Sequence, residues 1–208
     1  QGGSSLAGNV SLTTSTLWVS TTVNGCESPR SSVNITVYQV PSTATVGADQ
    51  KRCGTLISAS LGGNSPSIGQ GVWSKKSGPG TVTFSNVNSG SATATVSISG
   101  TYVFTWTISN GTCTSSLADI TVNYYTTQEG PSLSPTSPTC SNSNGTVTVT
   151  APLDGSGIDF EYSSNGGSSW VETTTFTVAA GAGYSIIVRN KNTTCVSIAT
   201  TGTMASQP

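Results

Sequence analysis

The chain has 208 residues with 7 Lys+Arg, 8 Asp+Glu, a formal net charge of −1 and no histidine. Charged residues are 7% of the total, where globular chains hold roughly 25%, while 36 serines and 35 threonines make up about a third of it. No basic excess is present to attract nucleic acid or an anionic membrane, and without imidazole the usual general base and the Ser-His and Cys-His nucleophile pairs are missing.

Hydrophobic residues at 34%, with 4 Trp, 6 Tyr and 4 Phe, argue for a packed core over disorder. No window approaches the roughly 20 apolar residues of a membrane helix. The reading is a folded chain that is not an enzyme, needs no cofactor, and neither inserts in a membrane nor binds nucleic acid. Gln1 in place of a start Met is expected to mark a piece of a longer protein.

Apolar and polar residues alternate throughout, and no helical period emerges. In chain order, residues 17–23 and 33–37 read as one hairpin. Leu17, Val19 and Val23 share a face and Trp18 points the other way. Strands follow at 56–61, 72–75, 81–84 and 93–98, then at 101–108, where Tyr102, Phe104, Trp106 and Ile108 form one face. Ala118, Ile120 and Val122 begin the next run, and strands at 146–150, 158–162, 175–178 and 184–188 complete the series. Gly/Asn/Ser/Pro clusters separate them, with Asn165-Gly166 the sharpest hairpin signal. Short strands at this spacing predict antiparallel β-sandwiches.

The five cysteines, at 26, 53, 113, 140 and 195, contain no C-x-x-C pair and thus no zinc-type spacing. Spread through a Ser/Thr-rich β chain, they read as disulfides of an oxidising, extracellular setting. Cys26, Cys113 and Cys195 recur at intervals of 87 and 82, and Cys53 and Cys140 are again 87 apart. Two interleaved series with one period signal tandem domains. Cys26, Cys113 and Cys195 lie in Asn/Gly/Thr turns, while Cys53 and Cys140 precede the first strong strand of a domain. The pairing expected is therefore Cys53 with Cys113 and Cys140 with Cys195, leaving Cys26 for a partner upstream. A Cys26–Cys53 bond across the first linker is the rival.

Proline-bearing linkers are expected at 38–45, around Pro41, and at 126–139, with Pro131, Pro135 and Pro138. They delimit residues 1–40 as the last hairpin of an incomplete domain, 41–125 as one sandwich and 126–208 as another. The missing strands of 1–40 belong either to sequence cut off or to another chain.

Several motifs resemble known repeats. Val46-Gly-Ala-Asp-Gln-Lys-Arg-Cys-Gly54, Gly71-Val-Trp-Ser74, Ser77-Gly-Pro-Gly-Thr81 and Gly100-Thr-Tyr102 with Trp106-Thr-Ile-Ser-Asn-Gly111 resemble the PKD-like/immunoglobulin-like repeats of very large surface proteins of Bacteroidota. Thr22-Val-Asn-Gly-Cys-Glu-Ser-Pro-Arg30 is similar to the close of their Ig-like repeat. Ser137-Pro-Thr-Cys140, Gly145-Thr-Val-Thr-Val-Thr150 and Tyr162-Ser-Ser-Asn-Gly-Gly167 resemble the repeat of SprB-type gliding-motility adhesins. The resemblance covers nearly the whole chain. It implies a stalk segment of a secreted cell-surface adhesin exported by type IX secretion and serving attachment or gliding. Its partners would be other repeats of the same chain, surface polysaccharide or the motility machinery. The resemblance carries no catalytic site and names no ligand. The first segment departs from it by lacking its front half.

Two other classes remain open, a carbohydrate-binding module of a secreted enzyme and a self-assembling filament subunit. The local acidic cluster Asp154, Asp159 and Glu161 offers carboxylates for calcium or, equally, a solvated hairpin. Trp73, Tyr102, Phe104 and Trp106 read as core, with Tyr102 a corner tyrosine tied to the backbone. Trp18 and Tyr125 fall off their core faces and Trp170 follows the Asn165-Gly166 hairpin, so these three are candidates for ligand contact or interdomain packing. Asp49 reads as a strand-end hydrogen-bond acceptor. Lys51-Arg52 and Lys75-Lys76 read as edge charges that discourage sheet-to-sheet pairing.

Overall fold

The computed structural model describes residues 14–155 and 157–208, and no helix occurs among them. An N-terminal hairpin pairs β1 (Ser15–Val19) with β4 (Ser31–Ile35), Leu17 facing Val33. At its tip β2 (Thr22–Val23) pairs with β3 (Cys26–Glu27). The tip turns on Asn24 and Gly25, both at positive φ (47° and 82°), the geometry a two-residue hairpin of this hand demands. The remainder of the expected 1–40 unit, residues 1–13, lies outside the described residues.

The central unit has a sheet ordered β5-β10-β9-β6, from β5 (Gln50–Cys53), β6 (Gln70–Ser77), β9 (Gly100–Ser109) and β10 (Ser116–Tyr125). Facing it are β7 (Val82–Phe84) and β8 (Ala94–Val96). The backbone of 57–63 extends this second layer through Ser58 N–H to Ala94 O, Leu61 N–H to Ala92 O and an Ile57–Thr95 bridge.

Alternation puts Tyr102, Phe104, Trp106 and Ile108 of β9 and Ile120, Val122 and Tyr124 of β10 inward. They pack with Leu61, Trp73 and Val96, all 3% exposed or less. Trp73 lies 5.0 Å from Trp106, and Tyr102 meets Tyr124 edge-on at 5.5 Å, arrangements that add to area burial.

The C-terminal unit packs β11 (Ser132–Thr136), β12 (Asn144–Ala151) and β14 (Thr175–Ala179) against β13 (Phe160–Ser163), β15 (Gly183–Asn190) and β16 (Thr200–Thr203). Its separate core holds Val147, Val149, Phe160, Tyr162, Ile186, Val188 and Met204. The fold class is thus the expected one, all-β with tandem immunoglobulin-like/PKD-like sandwiches.

Three expectations are corrected. β5 runs parallel to β10, with Cys53 opposite Tyr125, so the central sandwich is not wholly antiparallel. The 126–139 linker shortens to 126–131, because β11 occupies 132–136. Pro135 is tolerated there because β11 is an edge strand.

The third concerns the disulfides. Cys53 is bonded to Cys195, while Cys26, Cys113 and Cys140 are free thiols. Cys53 sits at the end of β10 marked by Tyr125, and Cys113 lies three residues before its start. The ten residues of β10 hold them about 33 Å apart, against Cα separations of about 4.4–6.8 Å for a disulfide. Cys140, before β12, and Cys195, after β15, are likewise at opposite ends of their sandwich. The rival Cys26–Cys53 bond is absent as well.

Candidate functional site

The described residues hold no group of three or more Cys, Asp or Glu side chains placed to share a metal ion. Asp154, Asp159 and Glu161 are not gathered. Asp154 Oδ1 accepts the backbone N–H of Phe160 at 2.6 Å. Both Arg189 Nε (3.0 Å) and Nη2 (2.7 Å) donate to Glu161 Oε2. Asp159 contributes its backbone carbonyl to the N–H of Lys191. The Lys191 ammonium donates to Glu172. That bond, aided by the nearby Asp159 and Glu161 charges, raises the lysine's pKa. Two cations therefore already balance the acidic strand.

The three candidate contact aromatics fall in different units. Trp18 is 64% exposed on the N-terminal hairpin. Tyr125 is half-buried at the end of β10, in register with Cys53. Trp170 carries the Arg189 guanidinium on its face, 4.2 Å from the ring centroid, so that face is already occupied by an internal cation. They form no common platform.

Other local expectations hold. Tyr102 Oη donates to Ile98 O (3.0 Å) and accepts from Gly80 N–H (2.9 Å). Asp49 Oδ1 accepts the N–H of Thr121 at 2.8 Å. Lys51, Arg52, Lys75 and Lys76 lie on β5 and β6, the two edges of the central sheet. Lys76 pairs with Asp119 at 2.5 Å, and Thr105 donates to the same carboxylate at 2.6 Å. Together they hold the Asp119 carboxyl below its ordinary pKa.

A groove of about 640 Å³ runs past Phe176, Val178, Tyr184 and Ile186 and is lined by no carboxylate, amine or thiol.

The feature that sequence reasoning missed is the junction between the sandwiches. Cys53 and Cys195 meet there with a Cα separation of 5.5 Å across 142 residues of chain. Beside them Lys51 Nζ donates to Asn192 O at 3.4 Å. Gly54, at φ +63°, lies where an added Cβ would come 2.7 Å from Thr127 Oγ1, and one on Gly130 would come 2.8 Å from Thr200 Oγ1. The short linker is therefore packed against both sandwiches. The signal available was the cysteine period itself, which sorts the cysteines into two kinds without saying that unlike kinds bond across a domain boundary.

No protein-family model matches the chain, and no curated protein does. Among solved structures it is similar to the PKD domain of the KIAA 1837 protein, 30% identical over 43% of this chain and 91% of that one, with a TM-score of 0.37. It is also similar to fibronectin(III)-like modules of Clostridium thermocellum CbhA, at 10% identity over 79% and 95% of the two chains and a TM-score of 0.40. For murine CEACAM1b the figures are 14%, 79% and 98%, with a TM-score of 0.39.

Proposed function

We propose that the chain is a load-bearing spacer of a secreted cell-surface adhesin, of the kind its Bacteroidota gliding-adhesin motifs resemble. The observation that carries this reading is the Cys53–Cys195 bond, which ties consecutive sandwiches end to end. A covalent tie between domains adds nothing to a ligand pocket, but it fixes the direction in which one domain hands the chain to the next. The Ser/Thr-rich surface with few charges keeps such an array hydrated without repulsion between neighbours.

The test is brief protease treatment of intact cells that make the protein. Release of its peptides into the medium, without lysis, is expected. Peptides recovered only after lysis would overturn the surface assignment.

A filament subunit is a second reading, favoured by the N-terminal hairpin. Val19, Val23 and Val33 are exposed there, and β1 and β4 pair only with each other among the described strands. Strands donated by another copy would cover them. Concentration-dependent assembly in analytical ultracentrifugation supports that reading, and a strict monomer removes it.

A further inference from the structure

Each sandwich carries one cysteine at each end. In the central unit Cys53 lies at the downstream pole, beside Tyr125 where the last strand leaves. Cys113 lies at the upstream pole, in the turn before that strand, its thiol 3.6 Å from the Tyr38 carbonyl of the incoming linker. The C-terminal unit repeats the arrangement. Cys195 lies at the upstream pole, in the turn between β15 and β16. Cys140 lies at the downstream pole, where Gln207 Nε2, beyond the last strand, donates to its carbonyl at 3.2 Å. The one junction between complete sandwiches joins a downstream-pole cysteine to an upstream-pole cysteine. Cys113 and Cys140 are the same two positions, unpaired, at the outer ends of the pair, and Cys140 is exposed.

The geometry points to Cys140 as the open half of a repeating interdomain staple, whose partner is the hairpin-turn cysteine of a following sandwich of this type. By the same rule, Cys113 takes the downstream-pole cysteine of a preceding one. This rests on the reading of the chain as a load-bearing array and names what each end binds. Two independent observations support it: the bond already formed between the equivalent positions, and the 87-residue spacing that relates Cys53 to Cys140. In each closure two thiols lose two protons and two electrons to a small disulfide oxidant, which is itself split into two thiols as the new S–S bond forms.

The test extends the full chain after Pro208 with a second copy of residues 41–125, in a Cys26→Ser background that removes the other exposed thiol. The copy's Cys113 then falls 141 positions after Cys140, against 142 for the existing bond. After oxidation in a glutathione buffer, non-reducing peptide mapping should recover Cys140 joined to the copy's Cys113, alongside Cys53–Cys195. Labelling of Cys140 by a thiol reagent should fall at least tenfold. The proposal is overturned if Cys140 stays fully labelled, or couples only to Cys140 of another molecule, while Cys53–Cys195 closes and the added unit melts cooperatively. Should that unit not melt cooperatively, appending residues 126–208 supplies Cys195 as the partner, and the same two outcomes decide. A free Cys140 would sink the staple and leave surface display, tested by protease on cells, untouched.

Discussion

Cys195 is bonded to Cys53, 142 residues upstream, across the boundary between two sandwiches that each keep their own core. The bond therefore governs how the units are joined more than whether either one folds. Its mechanical consequence can be measured directly. In a molecule pulled from its two ends, load passes from Cys53 straight to Cys195, and the residues between them are shielded. Reduction should expose that segment, adding roughly 470–510 Å of contour at full extension. Single-molecule force spectroscopy with and without dithiothreitol checks this. Traces unchanged by reductant would exclude a closed bond in solution.

Cys53→Ser should accordingly leave two cooperative melting transitions in place while exposing the linker at 126–131. Limited proteolysis is expected to cut there at least several-fold faster than in the parent. Gly54 and Gly130 now pack against Thr127 and Thr200, a fit that depends on the two units being held together. Loss of either melting transition would mean that the bond supports a core.

How much of this was legible in the residues differs by scale. The alternation of Tyr102, Phe104, Trp106 and Ile108 named the buried face of β9 correctly, because a strand's two-residue period is written locally. So was the Tyr102 tie to the backbone. The partner of Cys53 was not legible. A period reports which cysteines are equivalent, whereas pairing depends on which pole each occupies, and that follows from strand direction. β5 escaped notice for a related reason. Gln50-Lys51-Arg52-Cys53 has no apolar alternation, and it is a strand because β10 offers it a parallel edge. The acids at 154, 159 and 161 looked like a cluster along the chain. The partners that separate them are not local to that cluster: Arg189, which holds Glu161, comes from the distant β15, and Lys191, whose amide holds the Asp159 carbonyl, from the turn after it.

Tyr102→Phe tests the corner. The hydroxyl bridges Ile98 O and Gly80 N–H, so its removal strands a donor in a partly buried turn. The expected loss is about 1–3 kcal/mol. At roughly 4–8 °C per kcal/mol for a unit of this size, calorimetry should show the central transition falling while the C-terminal one stays put.

Acid should act on Asp119. Its folded pKa is lowered by the bond from Lys76 and then by that from Thr105. The carboxylate thus contributes stability that is fully present above its ordinary value of 3.8 and is lost as pH falls through the lower folded one. Asp119→Asn should weaken the central unit slightly at pH 7 and converge with the parent in strong acid. Because Lys76 and Asp119 are both more than a third exposed, added salt should shrink the difference. A gap that persists at low pH would place the effect elsewhere.

The Glu161–Arg189–Trp170 stack offers the last test, and it bears on calcium. Glu161 and Arg189 are 22% and 30% exposed, buried enough for a charge-assisted pair to matter. Arg189→Ala removes two bonds to Glu161 and uncovers the face of Trp170. A loss of about 1.5–3 kcal/mol in the C-terminal unit is expected, with a shift in tryptophan emission as water reaches the ring. Since Arg189 satisfies Glu161 and Asp154 is engaged with the Phe160 amide, millimolar calcium should leave the parent's melting temperature unchanged. A rise that grows with calcium concentration would show that these carboxylates abandon their internal partners for the ion.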